Sequence, residues 1–199
     1  MVETTRRREI EDVASELFRE HGYSGTSVRD IARALDIQGA SLYSHVASKQ
    51  DVLWSIVDGT ATQFETAAEE ALADVDADDP LAGLRAIVRA HVGVVLEDVG
   101  RASVFVHEWR SLGPERRALT LERRDAYEGR FRSMIDAGMA SGAVTPIDAT
   151  VAATYLLTAL NGLVAWYRPD GRLDADAVAD AYVELSMRTI AGTAPEGHE

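Results

Sequence analysis

The chain has no cysteine, which removes disulfide staples, thiol nucleophiles and thiolate metal sites at once. Lysine is almost missing too: of the 20 basic residues only Lys49 is a lysine. No run of eighteen consecutive apolar residues occurs, so the sequence predicts no membrane span. The first residues are acids and arginines where a secreted protein would carry an apolar signal core, so a cytoplasmic protein is expected. Period-two alternation of useful length and internal repeats are both lacking, which argues against sheets and solenoids. There is no Gly-rich phosphate loop, no HExxH and no nucleophile elbow. The expectation is therefore no catalytic residue, no cofactor and no enzyme. The acidic stretch Asp74 to Pro80 (DVDADDP) lacks the glycine and closing glutamate of a calcium loop and reads as a break between helices. His91, His107 and Glu108 could be proposed as a metal or acid–base set. A single histidine among apolar helix residues is more often a core residue, so no metal is expected.

What is present is helical periodicity throughout 199 residues, enough chain to bury on the order of two-thirds of its unfolded surface. The net charge is −13, and it is unevenly spread. Residues 1–50 hold seven basic and eight acidic side chains, whereas residues 51–199 hold 13 and 25. A near-neutral N-terminal end on a strongly acidic body fits a reader of one specific site better than a protein that coats DNA.

The stretch from Gly22 to Leu53 organises the rest. Val28, Ile31, Ala32 and Leu35 form one apolar helical stripe, opened by Ser27 with Asp30 three residues on, a variant of the capping box. Asp36 to Gly39 breaks the pattern, and Gly39 suits a tight turn. A short helix over Ala40 to Val46 can turn Leu42 and Val46 inward and Ser41, Tyr43, Ser44 and His45 outward. Ser48 and Asp51 form a second capping pair. Such a helix pair can be a plain tertiary corner, but hydroxyls, a phenol and an imidazole on under two turns suit phosphate and base-edge contacts.

Phe18, His21-Gly22-Tyr23, Thr26-Ser27-Val28, Ile31-Ala32, Leu42-Tyr43 and Ser48-Lys49 resemble, in order and spacing, the N-terminal domain of the TetR family of transcriptional repressors. An aromatic residue usual in the family is replaced by Val46, and Gln38-Gly39-Ala40 replaces the commoner turn. The resemblance implies an all-α fold, with residues 1–48 a three-helix, helix-turn-helix DNA-binding domain and 49–199 an effector-binding and dimerisation domain. It implies double-stranded DNA contacts from Ser27, Arg29, Gln38, Gly39, Ala40, Ser41, Tyr43, Ser44, His45 and Lys49. Tyr43 and Lys49 would hold phosphates, and Gln38 and His45 would reach base edges. Residues 1–8, ending in Arg6-Arg7-Arg8, read as an arm that is either a solvated terminus or a further DNA contact.

Later in the chain, Leu84, Ile87, Val88, His91, Val92, Val95 and Leu96 form a stripe. Gly100 is expected to interrupt before a helix over Ala102 to Leu112. Pro114 opens a helix to about Ser141 whose charged side is expected to pair at i, i+4. The alanine-rich helix from Asp148 to Trp166 is expected to be buried on most sides, and Asp174 opens the last helix. Phe105, Trp109, Tyr127, Phe131, Tyr155 and Trp166 are expected to face inward. They are either ordinary core or the lining of a pocket between helices.

His107-Glu108-Trp109-Arg110, the arginine-rich helix and Asn161-Gly162-Leu163 through Gly171 are similar to TetR-type regulators of fatty-acid and steroid-ring degradation that answer to acyl-CoA thioesters. That similarity implies an effector site with the aromatics and His91 around the acyl group and Arg110, Arg124 and Arg168 on the CoA phosphates. An unrelated apolar effector, as in regulators of efflux, is the alternative. The family is dimeric, which implies a homodimer through the last two long helices on a near-palindromic operator.

Overall fold

The computed structural model describes residues 2–76 and 78–191, and the tail expected to fray after Gly192 lies outside them. Every regular element among the described residues is a helix. In order these are α1 (Val2–Gly25), α2 (Val28–Ala34), α3 (Gly39–Tyr43), α4 (Lys49–Leu72), α5 (Pro80–Glu97) and α6 (Val99–His107). A 3-10 turn at Trp109–Ser111 leads to α7 (Pro114–Ala140), α8 (Ala149–Asn161), α9 (Leu163–Trp166) and α10 (Ala175–Ala191). The chain divides into two compact units, one of residues 1–62 and 98–123, the other of 63–97 and 124–199.

In the first unit the stripes behave as their spacing requires. Ile10, Ala14 and Phe18 of α1, Ile31 and Ala32 of α2, Leu42, Val46, and Val52, Leu53, Ile56 and Val57 of α4 are all buried. Each large aliphatic side chain taken out of water contributes about 1.5–3 kcal/mol. Of the arm expected at residues 1–8, residues 2–8 are the first part of α1, and residue 1 lies outside the described residues. Gly22 breaks α1 at φ 74°, where an L side chain would be strained. α6 packs along α1. Arg101 of α6 secures that contact by binding Glu11 (3.1 Å), Asp12 (2.8 Å) and Asp98 (3.3 Å). The break before α6 falls one step earlier than expected, because Asp98 caps the helix by accepting from Arg101 N–H and Gly100 lies inside it.

In the second unit α5 packs against α8, α9 and α10. Its whole stripe, Leu84 to Leu96 with His91, is buried. The helix expected over 148–166 is two helices, α8 and α9, broken at Gly162. By length and composition Ala149–Trp166 passes for a membrane span, with mean hydropathy 1.4 over 18 residues. Yet its longer helix has 13 residues, about 20 Å at 1.5 Å per residue, short of a hydrocarbon core of about 30 Å. α8 is also not buried on most sides. Ala152, Ala153, Leu156 and Leu160 are covered while Val151 and Tyr155 stand in solvent.

Three arginines of α7 pair across to a neighbouring helix. Arg116, Arg123 and Arg130, seven residues apart, meet Asp51 (2.6 Å), Asp58 (2.6 Å) and Glu69 (2.7 Å) of α4. A seven-residue spacing keeps one helix face toward a neighbouring helix, so this row faces α4 rather than water.

Candidate nucleic-acid interface and ligand site

The local chemistry around α2 and α3 leaves a polar surface on an apolar anchor. Ser27 Oγ accepts from Asp30 N–H (3.2 Å) while Asp30 Oδ2 accepts from Ser27 N–H (2.9 Å), so both halves of the capping box form. The Ser27 hydroxyl, donating to Asp30 Oδ2 at 2.6 Å, and then the Ser27 N–H hold the Asp30 carboxyl below its ordinary range. The turn between the helices is made at Asp36, φ 52°, and not at Gly39, which is the first residue of α3. Aspartate tolerates this left-handed conformation because its short polar side chain can bond locally. Gln38 sits at the N-cap of α3 without spending its side chain on the cap. Leu42 and Val46 are buried beneath.

Of the ten residues expected to face DNA, Ser27, Arg29, Gln38, Ala40, Ser41, Tyr43 and Ser44 are exposed, and Gly39, His45 and Lys49 are half-buried. Tyr43 is 56% exposed on a helix whose next inward residue, Leu42, is fully covered. Lys49 has a structural task that the sequence did not reveal. Its Nζ donates to Tyr23 O and Thr26 O, both at 2.8 Å, and lies 4.0 Å from the Tyr23 ring centroid. An ammonium has three N–H groups, so these two bonds leave one uncommitted.

Gln50 beside it is another residue that sequence reasoning missed. Its Nε2 donates to Tyr23 Oη and Ser111 O, both at 2.8 Å, and its Oε1 accepts from Gly113 N–H at 3.2 Å. This one amide pins the start of α4 to the end of α1 and to the turn before α7. Ser48 and Asp51 pair as expected, Ser48 Oγ lying 2.6 Å from Asp51 Oδ2, and Ser48 with Arg116 lowers the Asp51 pKa.

The ten residues expected at the ligand site fall in both units. Phe105, Trp109 and Arg110 belong to the first, where Arg110 stacks over the Trp109 ring at 4.6 Å. His91, Arg124, Tyr127, Phe131, Tyr155, Trp166 and Arg168 belong to the second. There His91, Tyr127 and Phe131 come together with Phe64, a residue not anticipated. The His91 ring stacks on Phe64 at 4.5 Å, and Tyr127 lies 5.7 Å from Phe131. Tyr127 Oη and His91 Nδ1 are 3.2 Å apart. Burial pushes the imidazole down to about 3, with the Asn161 side chain opposing and the Arg124 charge adding to the fall. Burial also raises the Tyr127 phenol. The inward placement expected for Tyr155 and Trp166 does not hold: they are 56% and 48% exposed. On α8, Tyr155 lies on the side that carries Thr150, Thr154 and Thr158, all exposed, opposite the buried Ala152, Ala153, Leu156 and Leu160. Arg110 and Arg168 are exposed, and Arg124 is half-buried. His91 lies in one unit, and His107 and Glu108 in the other.

Comparison with known proteins agrees with this arrangement. The family of bacterial regulatory proteins named tetR matches residues 10–56, and the tetracyclin repressor-like C-terminal domain matches residues 77–190. The HTH-type transcriptional repressor KstR2 of Rhodococcus jostii (strain RHA1) is 29% identical over 188 residues, covering 94% of this chain and 91% of that one. The TetR family transcriptional regulator PfmR of Thermus thermophilus superposes with TM-score 0.79 and 35% identity, over 90% of this chain and 97% of its own. AibR in complex with isovaleryl coenzyme A and operator DNA superposes with TM-score 0.79 and 29% identity, over 90% of this chain and 97% of its own. The chain belongs to the TetR family of bacterial transcriptional regulators.

Proposed function

We propose that this protein represses transcription by binding a near-palindromic operator as a homodimer, and that an acyl-CoA thioester is the effector that changes its grip. Residues 1–48 serve as the DNA-binding domain and 49–199 as the effector-binding and dimerisation domain. The observation that carries the first part is the exposed face of Gln38, Ala40, Ser41, Tyr43 and Ser44 over the buried Leu42 and Val46. Tyr43 and the free N–H of Lys49 take phosphates. Gln38, unspent at its N-cap, and His45 take base edges, Gln38 being suited to adenine.

Dimerisation is supported by Val151, Tyr155, Trp166 and Leu185, large apolar side chains left exposed on α8, α9 and α10 of one unit. A second copy related by a two-fold axis would cover the same face on both chains and set two heads one DNA turn apart. The acyl-CoA reading rests on the aromatic cluster around His91 and on the likeness to AibR, whose structure pairs an acyl-CoA with operator DNA. It places the protein in the control of lipid or steroid catabolism, acting on DNA in the cytoplasm. An effector that binds one body conformation shifts the population of dimers able to span the operator.

The test is a thermal-shift panel of acyl-CoA thioesters, with free CoA and free fatty acids as controls. A ligand at a hundred times its Kd adds about 2.7 kcal/mol to stability. A shift with a thioester alone supports the reading. A shift with none of them overturns the acyl-CoA part and returns the choice to another apolar effector.

A further inference from the structure

Residues 98–123 carry five arginines, and three of them are engaged by acids of the same unit. Arg101 binds Glu11, Asp12 and Asp98, Arg116 binds Asp51, and Arg123 binds Asp58. Arg110 and Arg117 are exposed, and neither pairs with an acid among the described residues. Glu108, Glu115 and Glu122 stand near them in the sequence and bind neither. A chain of net charge −13 has carboxylates enough, so these two cations are not left over for want of partners.

Both line one open groove of about 370 Å³, walled by Trp109, Pro114, Ala118 and Leu121. Pro114, Ala118 and Leu121 follow one another at i, i+4 and i+7, a single face of α7. Arg110 is not a loose side chain. Its guanidinium lies over the Trp109 ring, 4.6 Å from the centroid, and Trp109 itself is buried. A guanidinium stacked by its face keeps the N–H donors of its edge available to an anion.

The groove belongs to the unit that contains the helix-turn-helix. Gln50 ties Ser111 O and Gly113 N–H to the start of α4, one residue from Lys49. Arg116 adds a bond to Gln50 O at 3.3 Å. The turn that separates Arg110 from Arg117 is thus fixed beside the helix start that presents Lys49. A duplex carries one charge per about 1.7 Å of its axis, so a strand resting on Lys49 brings further phosphates past neighbouring cations. Such a strand alternates anionic phosphates with apolar sugar faces, and the groove offers guanidiniums on an apolar wall.

We propose that this groove is a second contact for the DNA backbone, outside the helix-turn-helix, in which Arg110 and Arg117 each hold a phosphate. Trp109 positions Arg110 for it. The proposal rests on the operator reading above and adds a contact that raises affinity without sequence preference, because phosphates carry no sequence information directly.

The experiment measures the affinity of the full-length protein for the duplex it enriches most from a random-sequence library, at salt from about 50 to about 200 mM. Each phosphate contact contributes about 0.9 to the fall of log K with log salt. Arg110→Gln and Arg117→Gln should each flatten the slope by about that amount. Over the fourfold salt range the wild type should then lose about 3.5-fold more affinity than either variant, and about twelvefold more than the double variant. Arg85→Gln is the control: it removes an exposed arginine of the second unit that also pairs with no acid among the described residues. It should keep the wild-type slope, and all variants should enrich the same sequence. A double variant with the wild-type slope overturns the proposal. Equal flattening by Arg85→Gln also overturns it, since the effect would then be one of net charge. A changed sequence preference in the double variant overturns it too, by assigning these residues to base reading. If the wild type enriches no duplex, the operator reading itself fails and this contact with it.

Discussion

Acidification from pH 8 to pH 5 should weaken the fold by about 2 kcal/mol through His91 alone. The ring is 3% exposed and stays neutral in the folded chain down to about pH 3, against 6.5 for an ordinary histidine. Between those values the unfolded chain binds a proton that the folded chain refuses. Stability is therefore unaffected above about pH 6.5 and is lost as pH falls toward 3, at about 1.4 kcal/mol per pH unit. At pH 5 the unfolded ring is almost fully protonated, about one and a half units below its pKa, which gives the figure of about 2 kcal/mol. The assay is urea denaturation at a fixed protein concentration, in steps from pH 8 to pH 5, for the wild type and His91→Phe. The substitution changes packing equally at every pH, so only the slope of the difference matters. The wild type should lose about 2 kcal/mol more than the variant over that range. Parallel curves would mean that the folded ring takes up its proton normally, and the account of a buried, neutral imidazole would be wrong.

Other consequences follow from single contacts. Tyr43→Ala should weaken binding to all duplexes with little change of sequence preference, whereas Gln38→Ala should relax preference at one base pair by about 1–3 kcal/mol, both read by fluorescence anisotropy. Leu185→Glu on the exposed apolar face should give monomers in sedimentation or solution scattering without lowering helix content in circular dichroism. An unchanged dimer would remove α10 from the interface. Arg101→Met leaves Glu11 and Asp12 without their shared cation and should destabilise by on the order of 3 kcal/mol in thermal unfolding, since breaking one side of a largely buried pair exposes the cost of the other. Lys49→Met should lower stability as well as DNA affinity, because two carbonyls lose their donor.

The helix-turn-helix was legible because it is a local structure. A capping box over four residues and a stripe at i, i+3, i+4 and i+7 are complete in the sequence, and Ser27–Asp30 closes as its spacing requires. The α5 stripe was legible for the same reason: every position from Leu84 to Leu96 that its period marks is buried. What was hidden depends on a second element. In α8, Thr150, Thr154 and Thr158 repeat every four residues on the exposed side, a signal that large aromatics beside them obscured, so an inward placement of Tyr155 and Trp166 fails and both stand outside. The arginines of α7 look self-paired in the sequence because their partners lie some sixty residues earlier, on α4. Asp36 takes the left-handed residue of the turn although Gly39 is available, a choice set by where α3 must start. Phe64 was within reach of the sequence, since Val57, Ala61, Phe64 and Ala68 continue the buried stripe of α4.

The most direct test of the account is to let the protein choose its own DNA. A random-sequence duplex library would be selected on the full-length protein, with and without the acyl-CoA that shifts its melting temperature. The account expects one near-palindromic sequence to be enriched, with half-sites about one helical turn apart, and expects the thioester to change its affinity by about tenfold or more. Enrichment of no sequence, or retention of duplexes in proportion to length alone, would contradict the claim that this fold reads an operator.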